Sequence, residues 1–576
     1  MRKSTRLLLW ISVLGFVLFA ATTAALVLVL SGERVLGDHE PRTLVVELGP
    51  ALCDAPREGT FVMDPQNLPP LLTDVTAALR KAADDPEVAG LLLVIEPLDI
   101  GFGGVQELVA ALEAFRASEK PCVAHADEYG NKEYLLAAAC GRVEVSPAGI
   151  VLVNGLHVTE TYYKGTLDRI GVDPELEHVG DFKSAVEPFE RTAPSEEARM
   201  ATDAVLDSLY GQFVDAIARA RGMEQDRVRS LLDRPPLSPN LALEAGMVDA
   251  VAFEKEAREA AGDDDAIDLS DYVRKVRRAR SKGVRIAVVH ADGSIVSGKS
   301  RIGVLGGRFV GDEDTVELLE DVRDDDDVAA VVLRVNSPGG SGLASDNIWR
   351  ALQEVREEKP VVVSMSDVAA SGGYYIAAGS DLIVAQPATL TGSIGVFGGK
   401  MNVAGLYEKI GLTRHVYKRG EMADLFSSTS AFSEDGRARF RAYLDAFYAL
   451  FLERVSEGRN LDVAQVHASA QGRVWTGEQA LDRGLVDELG GLDVAIQRAR
   501  ELAGVEGETG ILRLPAEKTI VEQVLEELTQ PGTGASRTLG TALPEAGETL
   551  ALAETLARVL EGSEVAAMLP GVIELW

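Results

Sequence analysis

The feature that most constrains this chain is that its pattern is written twice. "DPEVAGLLLVIEP", from Asp85, and "DDDVAAVVLRVNSP", from Asp325, are each a polar turn followed by a short apolar run suited to a buried parallel strand, in the register Val88 to Val328. A helix-period stretch follows in each copy, "VQELVAALEAFRASEKP" and "SDNIWRALQEVREEKP", and each stops at Lys-Pro before another apolar strand, "CVAHA" or "VVVSM". Next come "YLLAAACGRVEVSP" and "YYIAAGSDLIVAQP", with Tyr134 in register with Tyr374, and later "ALEAGMVD" from Ala242 matches "ALDRGLVD" from Ala480. Strand, helix, strand, helix at this spacing implies right-handed crossovers. The sequence therefore predicts an α/β protein of two tandem domains, each on a mostly parallel sheet.

The boundaries follow from breaks in the pattern. The first domain is expected over 41–253, a charged, glycine-containing linker over 254–283, and the second domain over 284–504. Leu269, Tyr272, Val273 and Val276 fall at helical spacing, so the linker is expected to be partly helical. The tail, 505–576, contains amphipathic stretches expected to pack on a domain or on a neighbouring subunit. Ahead of all this, residues 7–30 carry no charge and are long enough to cross a hydrocarbon core as a helix. Arg2, Lys3 and Arg6 precede that run, which places residues 1–6 in the cytoplasm and the rest of the chain outside it. The small residues of "ATTAA" make a cleaved signal peptide the competing reading, although the run is longer than a usual signal core.

Composition narrows the function. A formal net charge of −33 excludes a general nucleic-acid binder, which needs clustered Lys and Arg, and reads as a solvated acidic surface. The three cysteines, Cys53, Cys122 and Cys140, show no metal-ligand spacing and are odd in number. Cys122 and Cys140 sit in apolar runs and are expected to be buried small hydrophobes.

Because the copies align, each is a control for the other. In the second, "NSPGGSG" places Gly339 and Gly340 between a strand and a helix, where backbone N–H groups can face a cleft; the first has Asp99 and Ile100 there. In the same register Asn131 stands where the second copy has Ser371, in "DVAASGGYYIA". A serine at a helix start is ordinarily an N-cap, but Ala369, Ala370, Gly372 and Gly373 leave this hydroxyl approachable by another backbone. The N–H of Gly372 could join that of Gly340 in holding an oxyanion.

A nucleophilic serine needs a base. None of the seven histidines, at 39, 125, 157, 178, 290, 415 and 467, falls in the motifs around Ser371. The other candidate is lysine, which must be neutral to act; bringing its ordinary pKa of roughly 10.4 to neutrality takes about 4 kcal/mol, which burial can supply. "DFKSAVEPF" offers Lys183 among Phe182, Ala185, Val186 and Phe189, where the second copy reads "KRGEMADLF". Spacing alone makes Lys183 an ordinary surface lysine.

Taken together, "FKSAVEPF", "NSPGG", "SDVAASGGYYIA" and "LTGSIGV" resemble the long, duplicated form of the signal peptide peptidase A family, peptidase family S49, over roughly Leu7 to Gly504. The resemblance implies a Clp protease/crotonase-like α/β fold and a membrane-anchored serine endopeptidase that degrades cleaved signal peptides and other extended apolar peptides. It implies Ser371 as nucleophile and Lys183 as general base, Gly340 and Gly372 as oxyanion donors, and Ser393 of "TGSIG" as the residue that positions the lysine. It further implies no cofactor or metal, peptide substrates, a homo-oligomer of four chains, and catalytic domains on the extracytoplasmic face of a bacterial inner membrane. Phe182 stands where the motif leads one to expect tyrosine. Two rivals remain at this stage: a crotonase-like acyl-CoA hydratase or isomerase, and a catalytically inactive peptide-binding scaffold.

Overall fold

The apolar runs of each copy become the central strands of a parallel sheet. In the computed structural model, described over residues 41–56, 71–261, 266–279, 283–303, 307–507, 509–515 and 566–568, the first sheet orders its strands as 250–251, Arg142–Val151, Cys122–Tyr129, Val88–Ile95, Arg42–Leu48 and 267–268, all parallel. The second repeats the arrangement with Leu390–Gly392, Val361–Ala370, Val328–Ser337 and Arg285–Asp292, and adds Gly510–Leu514 beyond the expected edge of the domain at 504. Leu91 and Leu93 on one face and Leu92 on the other are buried, as are Val331 and Leu333 on one face and Val332 on the other, as both faces of a helix-covered parallel sheet require. The apolar run 7–30 and nearly all of the tail beyond 515 lie outside the described residues. Among the described residues no helix is long and apolar enough to cross a membrane.

The duplication extends to individual hydrogen bonds. Tyr134 donates its hydroxyl to the carbonyl of Met247 at 2.7 Å, and Tyr374 donates to that of Leu485 at 2.9 Å. Lys120 donates to the carbonyls of Ala82 and Asp85, and Lys359 to those of Val322 and Asp325. Each pair ties the same strand, helix and loop together, so the register read from sequence is the register of the fold.

The segment read as a linker belongs to the first sheet's layer. Ile267–Asp268 pairs with Arg42–Leu48, and the helix Leu269–Ala279 buries Tyr272 and Val276. Cys122 and Cys140 are buried but are not separate hydrophobes: they form a disulfide, correcting the sequence expectation. Cys122 opens a strand and Cys140 closes the helix that returns along it, which brings their Cα atoms to 5.2 Å.

Two features lock the halves together. The strand Asp173–Val179 of the first half leaves its own sheet and pairs antiparallel with Val396–Asn402 of the second, from Val179 opposite Val396 to Asp173 opposite Asn402. At the other contact, the fully buried Arg334 donates to Asp54 and Glu107 of the first half and to Ser364 and Ser366 of its own. Burial pushes the Glu107 carboxyl up to about 7 despite that guanidinium. Asp367 accepts from the N–H groups of Gly101 and Gly104, capping the first half's helix Phe102–Arg116 from across the interface.

Candidate active site

The site is assembled at the carboxyl ends of the second sheet's central strands, where open α/β sheets form their crevices. Val361–Ala370 delivers Ser371, the next helix begins at Gly372, and Ser371 does not cap that helix with its side chain. Its backbone is instead held at φ +55°, a conformation that costs about 1–3 kcal/mol in a non-glycine residue and persists only where surroundings impose it. The surroundings here are the Ser371 N–H donating to Gly392 at 2.8 Å and the Ser371 carbonyl accepting from Tyr375. Capping is thus excluded as the reason for this serine, and its hydroxyl is turned into the protein.

What it meets is Lys183. The strand 173–179 that crosses into the second half carries the lysine four residues beyond its end, and Lys183 Nζ lies 2.8 Å from Ser371 Oγ within the same chain. The same nitrogen donates to the Ser393 carbonyl and to Ser393 Oγ, both at 3.0 Å. Lys183, Ser371 and Ser393 have no exposed surface, so the surface reading of Lys183 is corrected: an ammonium here has no water around it. Burial holds its pKa well below the usual lysine value, with no opposing charge among the causes. A neutral amine has two N–H donors and one lone pair. In that form two N–H groups can reach Ser393 and the lone pair is left for the Ser371 hydroxyl, whereas an ammonium would donate to all three oxygens.

Gly372, the residue after the serine, lies beside Gly340. A Cβ on Gly372 would lie 3.1 Å from the Gly340 nitrogen, and one on Gly340 would lie 1.9 Å from the Ile295 carbonyl oxygen. Only glycine fits at Gly340. The Gly372 N–H belongs to the first turn of its helix and so has no intrahelical partner.

Sequence reading missed the loop Ala470–Arg473, which brackets the lysine and Ser393. Gln471 accepts from the Phe182 N–H at 2.8 Å, Gly472 donates to Ile394 at 2.7 Å, and Arg473 accepts from the Ser393 N–H at 2.8 Å. Ser393 at φ +51°, Gln471 at +59° and Gly472 at +80° concentrate left-handed backbone at this one point. The Arg473 guanidinium lies over Trp475 at 4.2 Å and over Phe182 at 5.0 Å, so the phenylalanine in place of tyrosine packs against a cation. "QG" in a loop was the one local signal available.

The corresponding place in the first half is filled. Asn131 donates to the Gly155 carbonyl and accepts from the Asn154 N–H. Lys132, where the second half has Gly372, donates to the carbonyls of Leu98 and Ile100 at 2.8 and 3.0 Å. Glu133 accepts from the Leu98 N–H. Side chains thus occupy the space that glycines keep open in the second half.

A further strand bears on the site: Ala566–Met568 lies between Gly339–Ser341 and Val396–Asn402, antiparallel to both.

The model of "Peptidase family S49" matches residues 114–268 and again 353–506. The "Serine protease SPPA, chloroplastic" of Arabidopsis thaliana is 33% identical over 480 residues, covering 81% of this chain and 71% of that protein. The "Protease 4" of Haemophilus influenzae is 33% identical over 464 residues, covering 76% of this chain and 74% of that one. Among solved structures, a mutant ClpP1 from Listeria monocytogenes overlaps 38% of this chain and 94% of its own at 15% identity, with a TM-score of 0.23. With the family's model matched in both halves and relatives aligned over most of their length, this chain belongs to peptidase family S49 and is a serine protease of that family.

Proposed function

We propose that the chain is an endopeptidase working through a Ser371–Lys183 dyad, with extended apolar peptides, signal-peptide remnants among them, as substrates. The observation that carries this reading is the 2.8 Å contact between a fully buried lysine and a fully buried serine held at φ +55°. Ser371 Oγ attacks the scissile carbonyl while neutral Lys183 takes its proton, and Lys183 later gives that proton to the leaving amine. The N–H groups of Gly340 and Gly372 hold the oxyanion, a contribution of about 3–4 kcal/mol per donor removed in comparable sites. Ser393 fixes the amine so that its lone pair faces the serine. A slot one strand wide between Gly339–Ser341 and Val396–Asn402 suits a substrate that binds as an added β-strand. Membership of a serine-protease family weighs against acyl-CoA chemistry and against an inert scaffold.

The same reading takes residues 7–30 as a membrane anchor with residues 1–6 cytoplasmic and the catalytic halves extracytoplasmic. It also takes the protein as a homo-oligomer of four chains. Support comes from two segments that the crossing ladder leaves unmatched. Residues 413–419 correspond to the crossing strand 173–179, and 156–162 correspond to its partner 396–402, yet both lie outside regular strands. Val416 and Tyr417 are 58% and 92% exposed. In the ladder's register His415 would face Glu160 of a second copy, reversing the polarity of the Glu175–Lys400 pair within the chain. Such a head-to-tail contact repeats until a ring closes.

The test of activity is cleavage of a fluorogenic apolar peptide by wild type, Ser371→Ala and Lys183→Ala. Loss of at least about 10³-fold in both variants is expected from an oxyanion hole left working without its nucleophile or base. Undiminished cleavage by either variant defeats the dyad.

A further inference from the structure

Arg473, Trp475 and Arg483 form a cluster that the dyad does not use. Both guanidiniums lie on one indole, Arg473 at 4.2 Å and Arg483 at 3.6 Å from the centre of the Trp475 ring. Trp475 is buried, and its N–H donates to the Ser469 carbonyl at 2.8 Å, which fixes the ring that carries the two cations. Stacking on a π face attracts a guanidinium, but it leaves the charge unneutralised and the N–H groups around the edge unspent. Arg483 donates to the Gln479 carbonyl, while Arg473 Nε is buried without a hydrogen-bond partner. Among the described residues no carboxylate lies within ion-pair distance of either arginine, and the exposed Asp482 acts on Arg483 only from farther off. Burial lowers the pKa of both, and the charge of Arg483 lowers that of Arg473 further. The buried Arg221, Arg334 and Arg459 each meet an aspartate, as a chain of net charge −33 readily allows. Two neighbouring arginines left to repel each other therefore call for an anion from outside the chain.

The duplication shows that the fold does not require this cluster. "RPPLSPNLALEAGMVD", from Arg234, is in register with "GRVWTGEQALDRGLVD", from Gly472, so Pro235, Leu237 and Ala245 stand where the second half has Arg473, Trp475 and Arg483. The local structure is shared: Leu237 pairs antiparallel with Val151 as Trp475 does with Thr391, and a helix follows at Pro239–Ala245 and at Gly477–Leu481. All three members of the cluster thus belong only to the half that holds Ser371. The cluster also adjoins the loop that brackets the lysine, since the Arg473 carbonyl accepts from the Ser393 N–H and its guanidinium lies 5.0 Å from the Phe182 ring.

We propose that Arg473 and Arg483, carried on Trp475, hold an oxyanion, a carboxylate or a phosphate group, at a site separate from the Ser371–Lys183 pair. The edge of a guanidinium presents parallel N–H donors that match two oxygens of either group, which a spherical anion cannot use. A carboxylate is supplied by a peptide's terminus or acidic side chain, a phosphate by a phosphate ester such as a lipid headgroup.

The experiment is the melting temperature of the full chain, carrying Ser371→Ala to prevent autolysis, titrated with inorganic phosphate and separately with acetate at an ionic strength held constant with sodium chloride. A ligand that binds the folded state raises the melting temperature along a saturation curve. The same titrations are run on Arg473→Gln, Arg483→Gln and Arg419→Gln, the last an exposed arginine outside the cluster. The parent chain is expected to show a saturable rise with at least one of the two anions. Its midpoint should move at least about 10-fold higher in Arg473→Gln and in Arg483→Gln, the loss expected when a hydrogen-bonded charge is removed from a bound anion, and stay in place in Arg419→Gln. Tighter saturation by acetate identifies a peptide carboxylate as the ligand, and tighter saturation by phosphate identifies a phosphate ester. The melt of each variant in chloride alone shows that it is folded. A rise no larger than chloride gives overturns the proposal. An unmoved midpoint in either cluster variant also overturns it, as does an equal loss in Arg419→Gln, which would be general charge screening.

Discussion

Replacing Lys183 by methionine should make the protein's stability less dependent on pH, by an amount fixed by the lysine's burial. Burial without a counter-charge lowers the folded-state pKa of Lys183, while in the unfolded chain the group has its ordinary value of roughly 10.4. Between those two pKa values the unfolded state binds one more proton, so wild-type stability rises with pH and the lysine's penalty fades as roughly 10.4 is approached. As long as the pH stays above the folded-state value, the penalty shrinks by about 1.4 kcal/mol for each pH unit gained, until roughly 10.4 is approached. Methionine removes this dependence but leaves the Ser393 carbonyl and hydroxyl without their partner, a pH-independent cost of about 1–3 kcal/mol for each group. The slope of the difference is therefore the reliable quantity. Urea unfolding followed by Trp349 and Trp475 fluorescence, both in the second half, reads it. The Ser371→Ala background in both chains prevents autolysis. The advantage of the methionine chain should shrink by about 1.4 kcal/mol per pH unit across pH 8 to 10. A difference that stays flat would mean that the folded lysine titrates as it does unfolded, and the account of the base would fail.

Four other outcomes follow from the same contacts. Ser393→Ala removes one of the two groups that orient the amine and should lower kcat about 10-fold, with the acid limb of the pH–rate profile displaced and KM little changed. Gly472→Ala places a Cβ 2.5 Å from Lys183 backbone atoms at φ +80°, so kcat should fall by at least about 100-fold while circular dichroism keeps its shape. Alkylation of the denatured, unreduced chain should leave Cys122 and Cys140 unlabelled, and reduction should lower stability by about 3 kcal/mol for a loop of 18 residues. In the proposed head-to-tail contact His415→Glu would set like charges opposite Glu160 of a second copy, so it should shift the light-scattering mass towards the single chain, and an unchanged mass would remove that proposal.

Sequence reading reached the parallel sheets and their register because both rest on local periodicity, and Tyr134 and Tyr374 make the same hydrogen bond in the two halves. It paired Ser371 with Lys183 through family resemblance, since "DFKSAVEPF" by itself contains nothing that distinguishes a buried lysine from a surface one. The burial is created by tertiary placement: strand 173–179 lies on a sheet of the other half and carries Lys183 under the Gln471–Arg473 loop. Nothing in "DPELEHV" marks it as a crossing strand, and the matching 413–419 segment joins no sheet among the described residues. The disulfide went unread because an odd cysteine count was weighed by number, when a strand start and the end of the following helix are neighbours in any βα unit.

The most direct test of the central claim is reaction of the chain with a peptidyl fluorophosphonate, followed by peptide mass mapping. Wild type should carry the adduct on Ser371, and Lys183→Ala, with Ser371 intact but no base beside it, should carry almost none at the same exposure. An adduct on another residue, or equal labelling of Ser371 in the two chains, would contradict a serine activated by a buried neutral lysine.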